Sequence, residues 1–369
     1  MLRSFKSAPH WLGLRHDGGL TVSESHIEGP FGPSRLVRIA PSRARGGGPR
    51  LPVWIAQHGV TTLGADHPAF QAFVRGIAAS GAVVLLPEFR PWIELDLSTE
   101  GFDALLRATI RAAQDDPLVD LSRVHLMGIS FAGSQVLISA GQPGIREHVG
   151  HVVTFGAYHG LDSLLRFQLT GQIPDGEQVR QIRPDPYALW LTALNLLPLI
   201  EGVTAVEELQ QVLKTLLMAG SRLAVTGAHP GFDPLKRELG RRLNQGDRVL
   251  FEAIAPLSTE RWPVPRDCAA EWLERLLDAV RRADGRLDPM AQICELPPVT
   301  SLVHGRGDIL IPPSESRALL ESLRDYTDPI LLLTGVVEHS QRSRARSMLD
   351  ATREWVHLIV ESNRVLTRI

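Results

Sequence analysis

Apolar residues fall into two kinds of pattern along this chain. Short, mostly apolar runs occupy 51–57, 82–86, 124–127, 151–155, 299–303 and 329–333. Each is bounded by Gly, Pro or polar clusters, which is how strands buried on both faces read. Between them, 68–80, 99–113, 134–140 and 314–324 repeat their apolar positions at helical spacing. Phe70, Phe73, Val74 and Ile77, closed by Gly81, are the plainest case. Segments 20–27 and 35–39 alternate around the turn Gly29-Pro-Phe-Gly-Pro and predict an antiparallel pair at a sheet edge. A closing helix is expected over 345–360.

Strand and helix alternate twice, from residue 20 to about 160 and again from 299 onward. Such alternation predicts an α/β fold with a mostly parallel central sheet flanked by helices. Between the two parts the pattern changes. Segments 186–198, 203–219, 234–243, 247–255 and 269–283 all read as helices. A stretch this long between two strands is no ordinary connection and must be a subdomain. The expected organisation is therefore a core in two pieces, 1–159 and 299–369, interrupted by a helical insertion at 160–298.

Composition narrows the function classes without choosing one. The 369 residues are 44% hydrophobic and 22% charged, with a net charge of −2, an ordinary globular balance. A near-neutral chain has no broad basic field for nucleic acid. Lys6, Lys214 and Lys236 are the only lysines, so the basic residues are almost all Arg. Cys268 and Cys294 are too few for a disulfide framework, and their spacing is not that of a metal site. One bridge between them is open to the sequence, with free thiols the preferred reading. Residues 1–20 hold no continuous apolar run of the kind a secretory signal needs. The longest apolar run, 187–200, is broken by Asn195 and Pro198 and is too short to span a bilayer. A cytoplasmic location is the default expectation.

The candidate chemistry lies where strands end. Gly128-Ile-Ser130-Phe-Ala-Gly133 falls between an apolar strand and an apolar helix. A Ser between small residues at such a turn is lifted above the sheet edge, with a helix N-terminus behind it. A Ser hydroxyl needs a positioned base before it attacks anything, and that base is usually a His oriented by a buried carboxylate. Here Asp308 follows one late strand, in His304-Gly-Arg-Gly-Asp308, and His339 follows the next, in Glu338-His339-Ser340. The order Ser130, Asp308, His339 places all three beyond strand ends on one edge of a parallel sheet, where ligands of such sheets bind.

With His58-Gly59-Val60 after the strand at 51–57, these pieces resemble the α/β-hydrolase superfamily of esterase- and lipase-like serine hydrolases. The resemblance covers about 20–160 and 299–369. The position of the insertion matches that family's variable helical cap. Ala132 stands where the pattern has Gly, and Val60 where some esterase branches continue with glycines. The resemblance implies Ser130 as nucleophile, His339 as base and then acid, and Asp308 as orienter. It implies an oxyanion hole from the backbone N–H groups of Val60 and Phe131. His58 would brace that loop, and Gly59, Gly128 and Gly133 would permit its close contacts. Asp162 is the reserve for Asp308. His159 reads as an entrance or packing residue, and Glu88 with Arg90 as either an ion pair or a solvated pair.

The expected reaction is cleavage of a small-molecule carboxylic ester through an acyl-enzyme, with no metal or organic cofactor implied. Trp190, Leu191, Leu194, Leu197, Leu213, Leu216, Leu217 and Met218 make the insertion apolar, which suits a hydrophobic acyl or alcohol group if they line the site. Most of them should pack the insertion's own core. The same helices leave lipid or a second subunit open as contacts. Acyl transfer, amide or carbon–carbon hydrolysis, and a silent scaffold of the same fold stay open, because fold alone does not fix function.

Overall fold

The computed structural model describes residues 19–42, 44, 48–175, 178–200, 206–223, 226–260, 266–282, 284–297, 299–335, 337–338 and 341–342. An eight-stranded sheet forms its centre. In chain order its strands are β1 (Leu20–Gly29), β2 (Gly32–Pro41), β3 (Leu51–Gln57), β4 (Val83–Pro87), β5 (Val119–Ile129), β6 (Val149–Phe155), β9 (Val299–Gly305) and β10 (Ile330–Thr334). Their order across the sheet is β1-β2-β4-β3-β5-β6-β9-β10. β2 runs antiparallel to both β1 and β4, and every other pairing is parallel.

The apolar runs are explained by burial on both faces. β4 is buried along its whole length. From β3, Val53 and Ile55 join Val124 and Leu126 of β5 in the larger core. Trp54 and Ala56 join Met127 and Val153 in the smaller one. Helix α1 (Pro68–Ala79) covers the smaller core with Phe70, Val74 and Ala78. Pro68 opens it, where the missing N–H costs nothing. After the short α2 (Arg90–Ile93), helices α3 (Phe102–Gln114) and α4 (Phe131–Ala140) serve the larger core. α4 is buried at every position, so it shows no polar face.

Three buried aromatic rings line up across the smaller core. Trp54, His125 and His151 are register partners on β3, β5 and β6. The Trp54 ring lies 4.9 Å from His125 and 5.7 Å from His151. Burial pulls the His125 pKa down to about 4 and that of His151 to about 3. Both are neutral at physiological pH. His151 Nε2 lies 3.0 Å from Ser301 Oγ, whereas neither His125 nitrogen has a partner.

Between β6 and β9 come α5 (Leu161–Thr170), the hairpin β7 (Gln172–Asp175) and β8 (Gln178–Gln181), α6 (Pro186–Leu196), α7 (Val206–Leu223), α8 (Asp233–Gly240), α9 (Gln245–Ile254) and α10 (Arg266–Arg282). The hairpin precedes the first helix expected in this stretch, at 186–198. Its strands are short, and β8 is exposed throughout, so no apolar run announces it. Trp190, Leu194, Leu197, Leu213, Leu216 and Leu217 are buried, Leu191 is half-buried, and Met218 is exposed. Lys236 is buried too. Its Nζ donates to the carbonyls of Gly227 (3.0 Å) and Pro256 (2.7 Å), above the Trp190 ring.

Helix α11 (Pro313–Leu323) links β9 to β10, and the two-residue strands β11 (Val337–Glu338) and β12 (Gln341–Arg342) pair beyond it. β11 lies against β9. The helix expected at 345–360 lies outside the described residues. Among those described, no helix is long and apolar enough to cross a membrane.

Candidate active site

Ser130 takes φ 59° and ψ −131°, one of two non-glycine residues at positive φ among those described. L-residues avoid this region, and holding one there costs about 1–3 kcal/mol. Two hydrogen bonds and several close packings maintain it. The Ser130 N–H donates to Phe155 O at the end of β6 (2.7 Å), and Gly133 N–H donates to Ser130 O (2.8 Å). A Cβ at Gly128 would sit 2.3 Å from Ala132 O, and one at Gly133 would sit 3.1 Å from Ala157 Cβ. The small residues are therefore required by the reversal from β5 into α4. Ala132 is fully buried and is accommodated without disturbing this turn.

The loop after β3 reaches the same place. A Cβ at Gly59 would lie 3.2 Å from Ile129 O and 3.3 Å from Ser130 Cβ, so only glycine fits comfortably. His58 supports this loop from beneath. Its Nδ1 lies 2.7 Å from Gly59 O; a carbonyl only accepts, so Nδ1 carries the hydrogen. Burial pulls its pKa down to about 4, and its Nε2 has no partner. His58 is thus neutral at physiological pH and holds the Gly59 carbonyl.

Farther along the loop, Thr61 N–H donates to Trp92 O (3.1 Å), and Glu88 Oε1 accepts from Ala65 N–H (3.4 Å). Glu88 pairs with Arg35, not with Arg90; the Arg35 guanidinium also reaches Glu24 and Asp66. Arg90 pairs with Glu94 one turn on. Of the two readings left open for Glu88 and Arg90, the ion pair between them is not formed. Arg90 begins a helix and points along it, while Glu88 faces the loop.

Phe131 opens α4, where first-turn N–H groups have no intrahelical acceptor and the helix dipole favours negative charge. Its ring stacks on Tyr158 (6.1 Å between centroids, 18° between planes) and meets Trp92 edge-on (5.4 Å). Val60 is buried in the same apolar surroundings. Tyr158 donates its hydroxyl to Leu287 O (2.9 Å), tying the end of the insertion to the floor of the site.

Asp308 lies beyond the end of β9 and is 2% exposed. Its Oδ1 accepts from the N–H groups of Leu310 (2.9 Å) and Ile311 (3.0 Å). Its Oδ2 lies 3.4 Å from His304 Nε2. Both Ser130 and Asp308 sit past the carboxyl ends of parallel strands, on one edge of the sheet. His339 lies outside the described residues; Glu338, which precedes it, belongs to β11 beside β9.

The other candidates resolve differently. Asp162, the reserve acid, is exposed on the first turn of α5 and pairs with Arg166. His159 is a packing residue: its N–H donates to Glu315 Oε2 (3.0 Å), and its Nε2 lies 3.0 Å from Ser322 Oγ. Glu315 also takes Gly160 N–H and Ser163 Oγ, at the start of the insertion. Burial pushes its pKa upward against these donors. Sequence reading passed over Glu315, and it quoted His304 only as part of a motif. Their signal was a His four residues before the Asp and a Glu-Ser pair opening the next helix. Cys294 is a free, exposed thiol, and the Cys268 side chain lies outside what is described. No group of His, Cys, Asp and Glu able to hold a metal occurs among the described residues.

A strand order with one antiparallel second strand, and a serine at positive φ directly after the fifth, define the α/β-hydrolase fold. No family model matches the chain, and no curated protein matches it. Solved structures do. The esterase Est22 superposes at a TM-score of 0.49, with 14% identity over 99% of this chain and 85% of that one. A Pyrobaculum calidifontis esterase gives 0.46, with 16% identity over 100% and 90%. A Pyrococcus horikoshii acylaminoacyl peptidase gives 0.46, with 11% identity over 95% of this chain. The chain spans about 41% of that peptidase's length. At such identities a likeness speaks of fold only, and the strand topology defines the fold independently.

Proposed function

We propose that the protein is a serine hydrolase that cleaves carboxylic esters through an acyl-enzyme. The observation that carries this reading is Ser130 itself. It is held at positive φ between β5 and α4, with the Gly59 backbone pressed against it. A chain keeps a serine in a conformation that favours glycine only where the surrounding packing imposes it, and such strain clusters at active sites.

In this reading Ser130 Oγ attacks the ester carbonyl carbon while His339 takes its proton. Asp308, fixed by the Leu310 and Ile311 N–H groups, orients His339 and stabilises its charged form. The N–H groups of Val60 and Phe131 receive the oxyanion, each worth about 3 kcal/mol in the transition state. The C–O bond breaks, His339 protonates the leaving alcohol, and water then releases the acid by the same steps reversed. The insertion at 160–298 acts as a cap over this edge. Val60, Phe131, Trp92 and Tyr158 surround the serine turn with apolar surface, which supports a hydrophobic acyl or alcohol group.

The test is turnover of p-nitrophenyl esters of increasing acyl length by the intact protein and by Ser130→Ala. A burst of p-nitrophenol that disappears in Ser130→Ala supports the nucleophile, and the preferred chain length measures the pocket. Labelling of Ser130 by a fluorophosphonate without any ester turnover would leave the serine active and reject the ester. Neither labelling nor turnover would reject the enzyme.

A further inference from the structure

His304 is fully buried at the end of β9, and three contacts fix its ring. Nδ1 lies 2.6 Å from Ser316 Oγ, Nε2 lies 2.8 Å from Ile311 O, and Nε2 lies 3.4 Å from Asp308 Oδ2. The Ile311 carbonyl can only accept, so a hydrogen belongs on Nε2, while Nδ1 is held by the Ser316 hydroxyl, which also lies 3.5 Å from Ala157 O. The ring therefore presents an N–H toward Ile311 O with the Asp308 carboxylate beside it. Ile311 closes the circle: its own N–H donates to Asp308 Oδ1. Strand end, imidazole, Ile311 and carboxylate form one hydrogen-bonded loop.

We infer that His304 is a positioning residue that sets the orientation of the Asp308 carboxylate, resting on the reading of Asp308 as the orienter of His339. With the ring in place, turning the carboxylate about its Cβ–Cγ bond breaks the Leu310 and Ile311 hydrogen bonds. It also takes Oδ2 away from the hydrogen on Nε2. Without the ring, the Ile311 carbonyl loses its donor, and the turn that grips Oδ1 is free to relax. Ser316 extends the device into α11. The same helix turn carries Glu315, which takes Gly160 N–H and Ser163 Oγ at the start of the insertion. Asp308 and Glu315 are the charged groups that face His304, from the strand end and from α11. The loop bearing the acid and the root of the insertion are thereby held by neighbouring residues of one helix.

The experiment compares His304→Leu, which removes the donor, with His304→Gln, whose amide N–H can reach the position of Nε2. Steady-state ester hydrolysis and the rate at which a fluorophosphonate labels Ser130 are both measured. His304→Leu should lower kcat about 10- to 100-fold with KM within about twofold, the effect of misplacing a catalytic group by about an ångström. His304→Gln should recover most of that loss. In an Asp308→Asn background the further loss from His304→Leu should nearly vanish, because the histidine acts through the aspartate. Should His304→Leu fail to fold, Ser316→Ala takes its place, with a smaller kcat loss that likewise vanishes in Asp308→Asn. Losses that multiply in full, equal activity of the Leu and Gln variants, or a change in KM alone would overturn the inference. Labelling of a residue other than Ser130 would instead overturn the serine reading on which it rests.

Discussion

Replacing Ser130 with glycine should leave the protein more stable than replacing it with alanine, with its chemistry abolished in both. At φ 59° and ψ −131° the serine Cβ is the source of the strain, and that strain is worth about 1–3 kcal/mol. Glycine removes it but gains freedom in the unfolded chain, which takes back about 0.5–1 kcal/mol. The balance favours Ser130→Gly by up to about 2 kcal/mol over Ser130→Ala, which keeps the Cβ and also lacks the hydroxyl. Comparing these two variants cancels the loss of any hydrogen bond to Oγ. For a chain of this length the unfolding entropy is near 0.8 kcal/mol/K, so each kcal/mol moves the melting temperature by about 1.3 °C. Differential scanning calorimetry at matched scan rates should place Ser130→Gly about 1–3 °C above Ser130→Ala, with both inactive on p-nitrophenyl esters. If Ser130→Gly melts at or below Ser130→Ala, the backbone is not strained there, and the strain-based reading of the turn fails.

Other substitutions test other parts of the same structure. Gly128→Ala drives a methyl into the Ala132 carbonyl, which is backbone and cannot swing away; about 2–4 kcal/mol of stability and most of the activity should be lost, read by urea unfolding and ester turnover. His125→Leu removes two buried nitrogens that have no partner and should raise stability by about 1–3 kcal/mol. Because the folded His125 pKa is pulled down to about 4, the unfolded chain takes up the extra proton as pH falls from 6.5. Wild type therefore loses stability between pH 6.5 and 4, and the gap to His125→Leu should widen across that window in urea titrations. Lys236→Met strands the carbonyls of Gly227 and Pro256 and should cost roughly 2–4 kcal/mol. Burial lowers the Lys236 pKa to about 8, so from pH 8 toward 10.5 the unfolded chain holds the proton more often. Wild type should gain on Lys236→Met over that range, and a constant gap would contradict the buried ammonium.

The core was legible because its strands are buried on both faces. β3, β4 and β6 have no solvent side, so their apolar runs stand out from the helices between them. β5 begins earlier than its apolar run, at Val119. Its first half carries Asp120, Ser122 and Arg123, and a register shift falls between Val124 and His125. α4 begins at Phe131, earlier than its apolar periodicity suggested, because the serine turn passes into helix without a spacer. The insertion was harder to read. Its helices bury apolar faces against one another, as α6 does against α7, so a hydrophobic position there says nothing of direction. Most of its named leucines are buried in the large core that it shares with the sheet, and its short hairpin left no mark in the sequence.

The turn around Ser130 was legible for a different reason. Glycine and serine around Ser130 stand out because a reversal that tight excludes larger residues, a constraint that acts locally and so appears as local sequence. The groups packed around Asp308 and at the start of the insertion act across the fold and leave no such mark. His304 and Ser316 are twelve positions apart in the chain, and Glu315 reaches His159 across 156. Each is a polar residue in a buried place, which is costly unless every hydrogen bond is made. Around Asp308 they are made. Around the serine turn some are not: Gln57, His58 Nε2 and Thr154 Oγ1 are buried there without partners. Gln57 and Thr154 flank Gly128 in the sheet register, under the turn that carries Ser130. His125 is unpartnered in the smaller core as well, so such groups are not confined to the serine turn; what sets the turn apart is that Gln57 and Thr154 lie in register on either side of the strand that ends in a residue held at positive φ.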